Sequence, residues 1–355
     1  MYAPLDEETV AIRDLVRDFA KRDVAPAAAG WDAADALPDA PVRALGELGI
    51  LAVALSEDAG GSGLGPLELA VVCEELGAAS GVLGHRVAGL AGSLALFAEV
   101  APEHPVLASS AAGQTRLAGC RAHHLVGSGG GRWSGEVNPA RRATTADRLL
   151  AIVRRSEGGE QLVLLDPTKG RVRRERRSAP LGLRGIDLGV LGFADARAES
   201  LGPVPLGAAS RARALTRVGV AGVALGIARA AVAEGASYAN ARVQFGRPIA
   251  DFQAISFKLA DIATELDAAR LLVHDAARAI ESDADTAAAG ARALLLAIGA
   301  AERAADEALQ IHGGYGYTRD FPIERLWRDA RALSALEGPP EALALEVSRA
   351  ALGGA

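Results

Sequence analysis

The sequence predicts an α+β protein that is mainly α, with helices at both ends and a small β domain between them. Apolar residues follow the helical period from residue 6 to about residue 112 and again from residue 211 onward. Between these regions the pattern changes to short apolar runs separated by glycine-rich turns, which is typical of strands. The chain therefore divides into three predicted domains, at residues 1–112, 113–206 and 207–355.

Length and composition favour an ordinary globular protein. The 355 residues are 50% apolar and 23% charged, which allows a large buried core. The net charge of −6 argues against a nucleic-acid partner, and the arginine run at 171–177 is expected to be solvated. Two cysteines, Cys73 and Cys120, are too few for a disulfide framework or a metal cluster and predict buried thiols in a reducing compartment. With neither a signal pattern nor an apolar run of about 20 residues, we expect a cytoplasmic protein and no membrane partner.

The N-terminal domain is predicted to be helical. An acidic first turn precedes a run of apolar residues at helical spacing, which favours a first helix within residues 6–34. Further helices are predicted at 41–51 and 66–77, and Pro66 suits a first helical turn because its missing N–H would be unpaired there. The glycine-rich loop at 56–63 joins them, and a flexible linker explains it equally well.

The middle region is predicted to be a small β domain. Apolar strands at 149–153 and 161–165 are separated by a Ser-Glu-Gly-Gly turn, which indicates a hairpin, and another short strand is predicted at 190–193. The glycine-rich segment 127–131 lacks the lysine of a phosphate-binding loop and is interpreted as a connector. Trp133 is predicted to lie on an early strand, in the core.

The C-terminal region is predicted to be helical at 214–244, 252–282, 285–311 and 340–351. The second of these helices carries one apolar stripe, as an inner helix of a bundle requires. The stripe consists of Ile255, Leu259, Ile262, Leu266 and Ala269.

A glycine turn follows the third of these helices. The sequence there reads LQIHGGYGYTRDFP at 309–322, and its glycine pair lets the backbone approach a flat or phosphorylated ligand closely. Further on, Glu337 lies at a predicted helix end between Leu336 and Gly338. In an apolar pocket the pKa of such a carboxylate rises, so it can accept a proton near neutral pH. The alternative is a solvated glutamate in the turn before Pro339.

Two blocks of sequence resemble the acyl-CoA dehydrogenase family. The first is QIHGGYGY at 310–317, followed by RDA at 328–330 and EG at 337–338. The second is YANARVQFGRPI at 238–249, followed by FQAI at 252–255. The resemblance covers the chain except for part of its middle. It implies an N-terminal α-helical domain, a β-sandwich or barrel, and a C-terminal four-helix bundle.

The resemblance also implies FAD, held between the β domain and the bundle and partly by a neighbouring subunit. Arg242 matches the family arginine that reaches the flavin pyrophosphate from that neighbour, and a planar guanidinium suits this contact. The other cofactor-binding residues implied by the resemblance are Phe245, Gln253, Gln310, Gly313 and Gly314. The alternative is that Arg242 only pairs with a surface carboxylate and that Phe245 only ends a helix.

By the same resemblance Glu337 is the catalytic base. Family members remove the α-proton of an acyl-CoA while a hydride leaves the β-carbon for flavin N5, giving the trans-2-enoyl thioester. Some relatives carry the base on an earlier helix, but that position here is Thr216, followed by Arg217, which leaves Glu337. His312 is predicted to be structural. The pair at 123–124 has no further ligand at metal spacing, so no metal site is predicted.

Two departures from the family pattern leave the function open. Pro339 follows Glu337 and Gly338 where the family has a threonine, and no Thr/Ser-Glu-x-x-Gly-Ser-Asp loop or aromatic-x-Thr/Ser strand occurs within 115–146. The leading hypothesis is a dehydrogenase of an acyl-CoA or acyl-carrier thioester, acting as a homodimer or homotetramer with an electron-transfer flavoprotein as acceptor. The departures favour a second hypothesis, in which the chain is a non-catalytic or half-site subunit that forms a heteromer with a homologous subunit. A third is a flavin-dependent oxygenase, against which Glu337 argues.

Overall fold

The computed structural model describes residues 4–122, 124–155, 158–177, 180–282, 286–337 and 339–353. Its N-terminal part is helical, and the Asp6 carboxylate caps the first helix by accepting the Thr9 N–H at 2.8 Å. A π-helical turn at Ala20–Val24 continues this helix into the next. The helices are α1 (Glu7–Phe19), α2 (Ala25–Ala34), α3 (Asp39–Glu47), α4 (Pro66–Ala79), α5 (Gly81–Val100) and α6 (Pro105–Ala111).

The β domain follows and contains the predicted hairpin together with strands that the sequence did not indicate. Its strands are β1 (Leu117–Arg121), β2 (Val126–Gly129), β3 (Arg132–Arg141), β4 (Arg148–Arg154), β5 (Glu160–Leu165), β6 (Val172–Arg176) and β7 (Leu188–Pro203). The sheet order is β1-β4-β5-β7-β3-β2, with β6 also paired to β7. Strands β1 and β4 are parallel and the other pairs are antiparallel.

The long strand β7 joins two halves of this domain. Its first half pairs with β3 on one side and β6 on the other, and its second half pairs with β5. The short strand predicted at 190–193 is therefore the start of a 16-residue strand. The prediction of a connector at 127–131 is wrong, because β2 includes residues 127–129. A turn at Gly130 and Gly131 leads from β2 into β3, and the two strands pair.

The C-terminal part is helical again. It comprises α7 (Ala208–Ala241), a small hairpin of β8 (Val243–Gln244) and β9 (Arg247–Pro248), α8 (Gln253–Glu281), α9 (Thr286–His312), α10 (Ile323–Leu336) and α11 (Pro340–Ala351). A 3₁₀ turn at Gly313–Tyr317 separates α9 from α10. The predicted order of helices, sheet and helices is confirmed. The secondary structure changes between Ala111 and Leu117 and between Pro203 and Ala208, while the domain limits stay a prediction.

Helix α7 is the centre of the molecule and packs against α4, α5, α8 and α9. Its alanines and glycines allow neighbouring backbones to approach closely: a Cβ at Gly222 would lie 2.3 Å from the Ala70 carbonyl oxygen of α4. One apolar core runs through both helical regions, and a second, smaller core lies inside the β domain. The two helical domains are therefore joined by shared packing.

Two helices, α5 and α7, are long and apolar enough to cross a membrane. Within their most apolar windows, 72% of the α5 residues and 78% of the α7 residues are buried inside the protein. Burial of this extent is what the core helices of this fold require, because α7 is enclosed by other helices.

Candidate functional site

Helices α5 and α7 and strands β1 and β3 surround a cleft between the helical regions and the β domain. It contains two adjoining cavities, an inner one of about 40 Å³ and an outer one of about 150 Å³. Gly89, Ser93, Gly119 and Arg141 line both cavities. The cleft remains open because small residues of α5 and β1 face each other where the helix meets the sheet.

Glu337 lies at the end of α10, next to this cleft. Its side chain is 9% exposed, so it is not the solvated glutamate of the alternative interpretation. The Oε1 atom accepts a hydrogen bond from Nη2 of Arg141 at 2.5 Å and lies 2.6 Å from Nε2 of His85. Arg141 also donates to the Leu336 carbonyl oxygen at 3.2 Å. Since His85 and Arg141 line the inner cavity, the structure places the predicted base beside it.

The predicted rise in the Glu337 pKa is wrong for this conformation. Burial does act to raise the pKa, but the positive charge of Arg141 and the hydrogen bond from His85 outweigh it and hold the pKa at about 2. The sequence reasoning counted only burial, because Arg141 is 196 residues away along the chain. Glu337 is therefore an ionised carboxylate at neutral pH, neutralised by an arginine.

His85 is buried on α5, and burial is the main cause that lowers its pKa. The imidazole is accordingly neutral near pH 7 and donates its Nε2 hydrogen to the ionised Glu337, which can only accept. The positive charge opposite Glu337 therefore belongs to Arg141. His85 fixes the direction of the carboxylate.

Helix α10 is anchored to both neighbouring regions, which fixes where Glu337 lies. Arg328 forms a bidentate ion pair with Asp32 of α2 at 2.8 and 2.9 Å. Asp329 accepts the Leu183 N–H of the β domain at 2.6 Å. Burial raises the pKa of Asp329 to about 6. Through these contacts, Arg328 and Asp329 of the Arg-Asp-Ala motif hold α10 in place and so fix the position of Glu337 at its end.

Two residues of the site, His85 and Arg141, were missed by the sequence reasoning. A signal existed for the first, because His85 and Arg86 interrupt an otherwise apolar helix, where polar side chains need a reason to be buried. The position of the alternative base, Thr216, lines the outer cavity on α7. Its hydroxyl donates to the Ala212 carbonyl oxygen at 3.0 Å.

The predicted cofactor residues come together at one end of the C-terminal bundle. The end of α7 meets the end of α9, where the rings of Tyr238 and His312 stack with centroids 4.3 Å apart. The start of α8 meets the same end of α9 through an ion pair between Lys258 and Glu307. The residues placed here are Arg242, Phe245, Gln253, Gln310, Gly313 and Gly314.

This end of the bundle is an exposed surface that suits the pyrophosphate part of FAD. Phe245 is 93% exposed, and the Arg242 guanidinium makes no hydrogen bond or ion pair with any residue that the structure describes. A Cβ added at Gly313 or Gly314 would meet nothing within 4 Å. A free guanidinium beside an open, side-chain-free backbone is a good donor set for a phosphate group. His312 is buried, and its Nδ1 lies 2.7 Å from the Ala308 carbonyl oxygen, while its structural role stays a prediction.

The predicted base lies elsewhere. Glu337 follows the last residue of α10, whereas the glycine turn precedes that helix, and 14 residues of helix span about 21 Å. The structure therefore brings the six predicted cofactor residues together and leaves Glu337 at a distance from them. Among the described residues, the side chains that bond to Glu337 are the Arg141 guanidinium and the His85 imidazole.

The fold and the site define a class of protein: a scaffold of two helical regions with a β domain between them, a buried carboxylate beside a cleft, and an exposed surface with a free arginine at the end of its bundle. Profiles described as acyl-CoA dehydrogenase, N-terminal domain and acyl-CoA dehydrogenase, C-terminal domain match residues 6–104 and 206–352. An acyl-CoA dehydrogenase of Bacillus subtilis (strain 168) is 32% identical over 379 residues, covering 98% of this chain and 99% of that protein.

Solved structures agree. Butyryl-CoA dehydrogenase from Megasphaera elsdenii has a TM-score of 0.90 at 25% identity, covering 99% of this chain and 100% of the other. A glutaryl-CoA dehydrogenase from Mycobacterium smegmatis in complex with FADH2 shares the fold, with a TM-score of 0.89 at 21% identity over 99% of this chain and 96% of the other. The chain belongs to the acyl-CoA dehydrogenase family, whose members are FAD-dependent oxidoreductases that act on CH–CH groups.

Proposed function

We propose that this chain catalyses the α,β-dehydrogenation of an acyl-CoA or acyl-carrier thioester to the trans-2-enoyl thioester, with Glu337 as the base. The observation that carries the proposal is the placement of Glu337: a carboxylate with a 9% exposed side chain, held against two residues of a cavity between helix and sheet. Abstraction of an α-proton needs a carboxylate that is shielded from water and fixed in direction. His85 supplies the second requirement.

The cleft provides separate places for the parts of a thioester. The outer cavity of about 150 Å³ opens towards the cationic side chains of Arg121 and Arg213, which attract an anionic substrate. Arg141 lines both cavities and touches Glu337, so the base lies at the junction between them. An α-carbon at this junction would be within reach of the carboxylate.

Arg141 has to leave Glu337 before the proton can be accepted. In the described conformation the ion pair keeps the pKa of Glu337 at about 2, which makes it a weak base. Without the arginine, burial dominates and raises the pKa towards the range in which a carboxylate takes a proton from an activated carbon. FAD, when bound, supplies an acceptor for the hydride that leaves the β-carbon. The proposal gives Arg242, Phe245, Gln253, Gln310, Gly313 and Gly314 the role of holding it.

The test is anaerobic bleaching of the flavin by acyl-CoA. The purified chain, supplied with FAD, is mixed without oxygen with short and medium acyl-CoA thioesters, and the visible flavin absorbance is followed. We expect Glu337→Gln to keep FAD and to bleach at least about 100-fold more slowly. Glu341→Gln, an exposed glutamate on α11, is the matched control and should bleach like the natural chain. Equal rates in the two variants would remove Glu337 from the mechanism.

The partners of this reaction follow from the proposal. An electron-transfer flavoprotein would reoxidise the flavin, and a homodimer or homotetramer would bring the exposed cofactor residues of one subunit to the cleft of another. The acidic composition and the two unpaired thiols favour a cytoplasmic location.

A second candidate is a half-site subunit in a heteromer with a homologous chain. It is favoured by Arg141, whose charge occupies the side of Glu337 that faces the β domain. Such a chain would lend Arg242 and its neighbours to the flavin of a partner. It would be colourless when purified alone and would restore flavin binding on addition of the homologue, whereas a yellow, active chain would exclude this candidate.

A further inference from the structure

A cavity of about 540 Å³ lies in the β domain, at a break in the pairing of β7. Strand β6 pairs with β7 up to Phe193, and β5 pairs with it from Ala198 onward. Residues of β3, β4, β5 and β7 line the cavity together with the turn that joins β5 to β6, and none of them lines the cleft at Glu337. The volume falls within the range of about 300–1,000 Å³ that is typical of small-molecule sites.

Two arginines lie side by side at this cavity. Arg132 of β3 and Arg197 of β7 are direct cross-strand partners, so their side chains are on the same face of the sheet. Like charges placed directly opposite each other destabilise a strand pair. Both arginines line the cavity, and so does Lys169 in the turn after β5. The fold therefore brings cations from three separate elements to one cavity.

The carboxylates of the cavity neutralise only some of its cations. Asp195 forms an ion pair with Arg132 at 3.0 Å. Asp166 is shared between Arg148 at 3.1 Å and Lys169 at 3.3 Å. The Lys169 side chain is 80% exposed, so its surface pair with Asp166 is weak and the ammonium group remains available to a stronger anion.

Arg197 has no anion of its own. Its guanidinium makes no hydrogen bond or ion pair with any residue in the part of the chain that the structure describes. Glu199 is the next outward-facing residue of β7, but its carboxylate lies 3.3 Å from Nε2 of His104. The guanidinium donors of Arg197 therefore lack an acceptor among the described residues while a second arginine lies beside them. This combination is unfavourable for the sheet alone and becomes favourable when one anion contacts both guanidinium groups.

The positions of the three cations indicate the kind of anion. They belong to β3, to β7 and to a turn, so the anion needs oxygens that face in several directions. A carboxylate has two oxygens in one plane, whereas a phosphate monoester has three around a tetrahedral centre and pairs well with arginine. The remaining volume accommodates an organic group, for which Leu164, Leu165 and Ala198 supply an apolar wall.

We propose that this cavity is a binding site for the phosphate monoester of a small organic molecule of nucleotide size, with Arg132, Arg197 and Lys169 as the phosphate-binding residues. The ligand binds reversibly, and no bond is made or broken. A bound phosphate cancels the repulsion between Arg132 and Arg197 and so stabilises the pairing of β3 with β7. Because the cavity shares no residue with the cleft at Glu337, the inference does not depend on the proposed function.

The test is isothermal titration calorimetry of the FAD-supplied chain at low ionic strength, with guanosine monophosphate, guanosine and inorganic phosphate as probes. Guanosine monophosphate joins a phosphate monoester to a flat ring and lacks the adenine that FAD and CoA share. We expect it to bind at least about 10-fold more tightly than either fragment, because charge-assisted hydrogen bonds and apolar contacts act together.

Substitutions of opposite charge should act in opposite directions. Arg197→Gln should raise the Kd of guanosine monophosphate at least about 10-fold, because a charge-assisted contact is lost. Glu199→Gln, which removes a negative charge from the cavity, should lower that Kd by about 2-fold to 5-fold. The matched control is Arg173→Gln on the exposed strand β6, which does not line the cavity and should bind like the natural chain.

The site is excluded if guanosine monophosphate does not bind, if guanosine binds as tightly, or if Arg197→Gln binds like the natural chain. Equal affinity for inorganic phosphate would exclude the organic part of the ligand. None of these results affects the proposed function, which flavin bleaching tests separately. A second measurement needs no ligand: Arg197→Gln should unfold at a higher urea concentration than the natural chain, because the like-charge pair is removed. A lower urea midpoint would contradict the charge argument.

Discussion

The ion pair between Arg141 and Glu337 makes a quantitative prediction about stability. A fall in the Glu337 pKa from 4.5 to about 2 corresponds to about 3 kcal/mol of preferential interaction with the carboxylate in the folded state. Arg141 and the hydrogen bond from His85 share this energy. Removing one partner of a buried pair also leaves the other charge uncompensated, so either single substitution should cost about 3 kcal/mol or more.

A double-mutant cycle isolates the coupling. Arg141→Gln, Glu337→Gln and the double variant are unfolded in urea at pH 7, and their free energies of unfolding are compared with that of the natural chain. We expect a coupling of at least about 2 kcal/mol, because the double variant has no buried charge left unpaired. A coupling free energy below about 0.5 kcal/mol would refute a direct interaction between Arg141 and Glu337, because substitutions at distant, independent sites give values up to that size.

The pH dependence provides an independent check. The pKa of Glu337 is depressed in the folded state, so the unfolded chain takes up this proton first as the pH falls. The contribution of Glu337 to stability is therefore complete above about pH 4.5 and is lost as the pH falls through about 2. Glu337→Gln should remove this part of the acid sensitivity. A variant whose stability falls between pH 5 and pH 3 as steeply as that of the natural chain would contradict the assignment.

Five further substitutions, at four positions, test other parts of the structure. Arg242→Ala should weaken FAD binding at least about 10-fold because a charge-assisted contact is lost, and a variant that stays yellow after dialysis would argue against the pyrophosphate role. Asp329→Ala should lower the free energy of unfolding by about 1–3 kcal/mol because the Leu183 N–H loses its acceptor, whereas Asp329→Asn, which keeps one, should cost less in the same urea titration. Gly222→Ala should destabilise by about 1–3 kcal/mol because its Cβ would collide with the backbone of α4, while Gly299→Ala, with open space around it, should stabilise by about 0.5–1 kcal/mol.

Local sequence patterns predicted the helices far better than the strands. Helices α7, α8 and α9 each carry many turns of one pattern, so the period is visible over a long window. Strands β1, β2 and β6 escaped detection because they are short or polar; four of the five residues of β6, at 172–176, are charged. Of β3, only the start around Trp133 was predicted. Helix α10 was recognised at its end but not along its length.

The site was predictable where it depends on a continuous motif and not where it depends on folding. Glu337 and the glycine turn belong to one stretch of chain, and the family resemblance assigned both. His85 reaches Glu337 across 252 residues and Arg141 across 196, so no local pattern connects them. The charge of Arg141 reverses the expected direction of the Glu337 pKa. Electrostatics at the site is therefore a property of the tertiary structure.

The central claim is that Glu337 accepts a proton from the α-carbon of an acyl thioester. Exchange of that proton in D₂O measures this step directly: the FAD-supplied chain is incubated with an acyl-CoA, and deuterium in the recovered thioester is quantified by mass spectrometry. We predict that Glu341→Gln exchanges like the natural chain and that Glu337→Gln exchanges at least about 100-fold more slowly. Exchange at the natural rate in Glu337→Gln, or no exchange in the natural chain, would contradict the account.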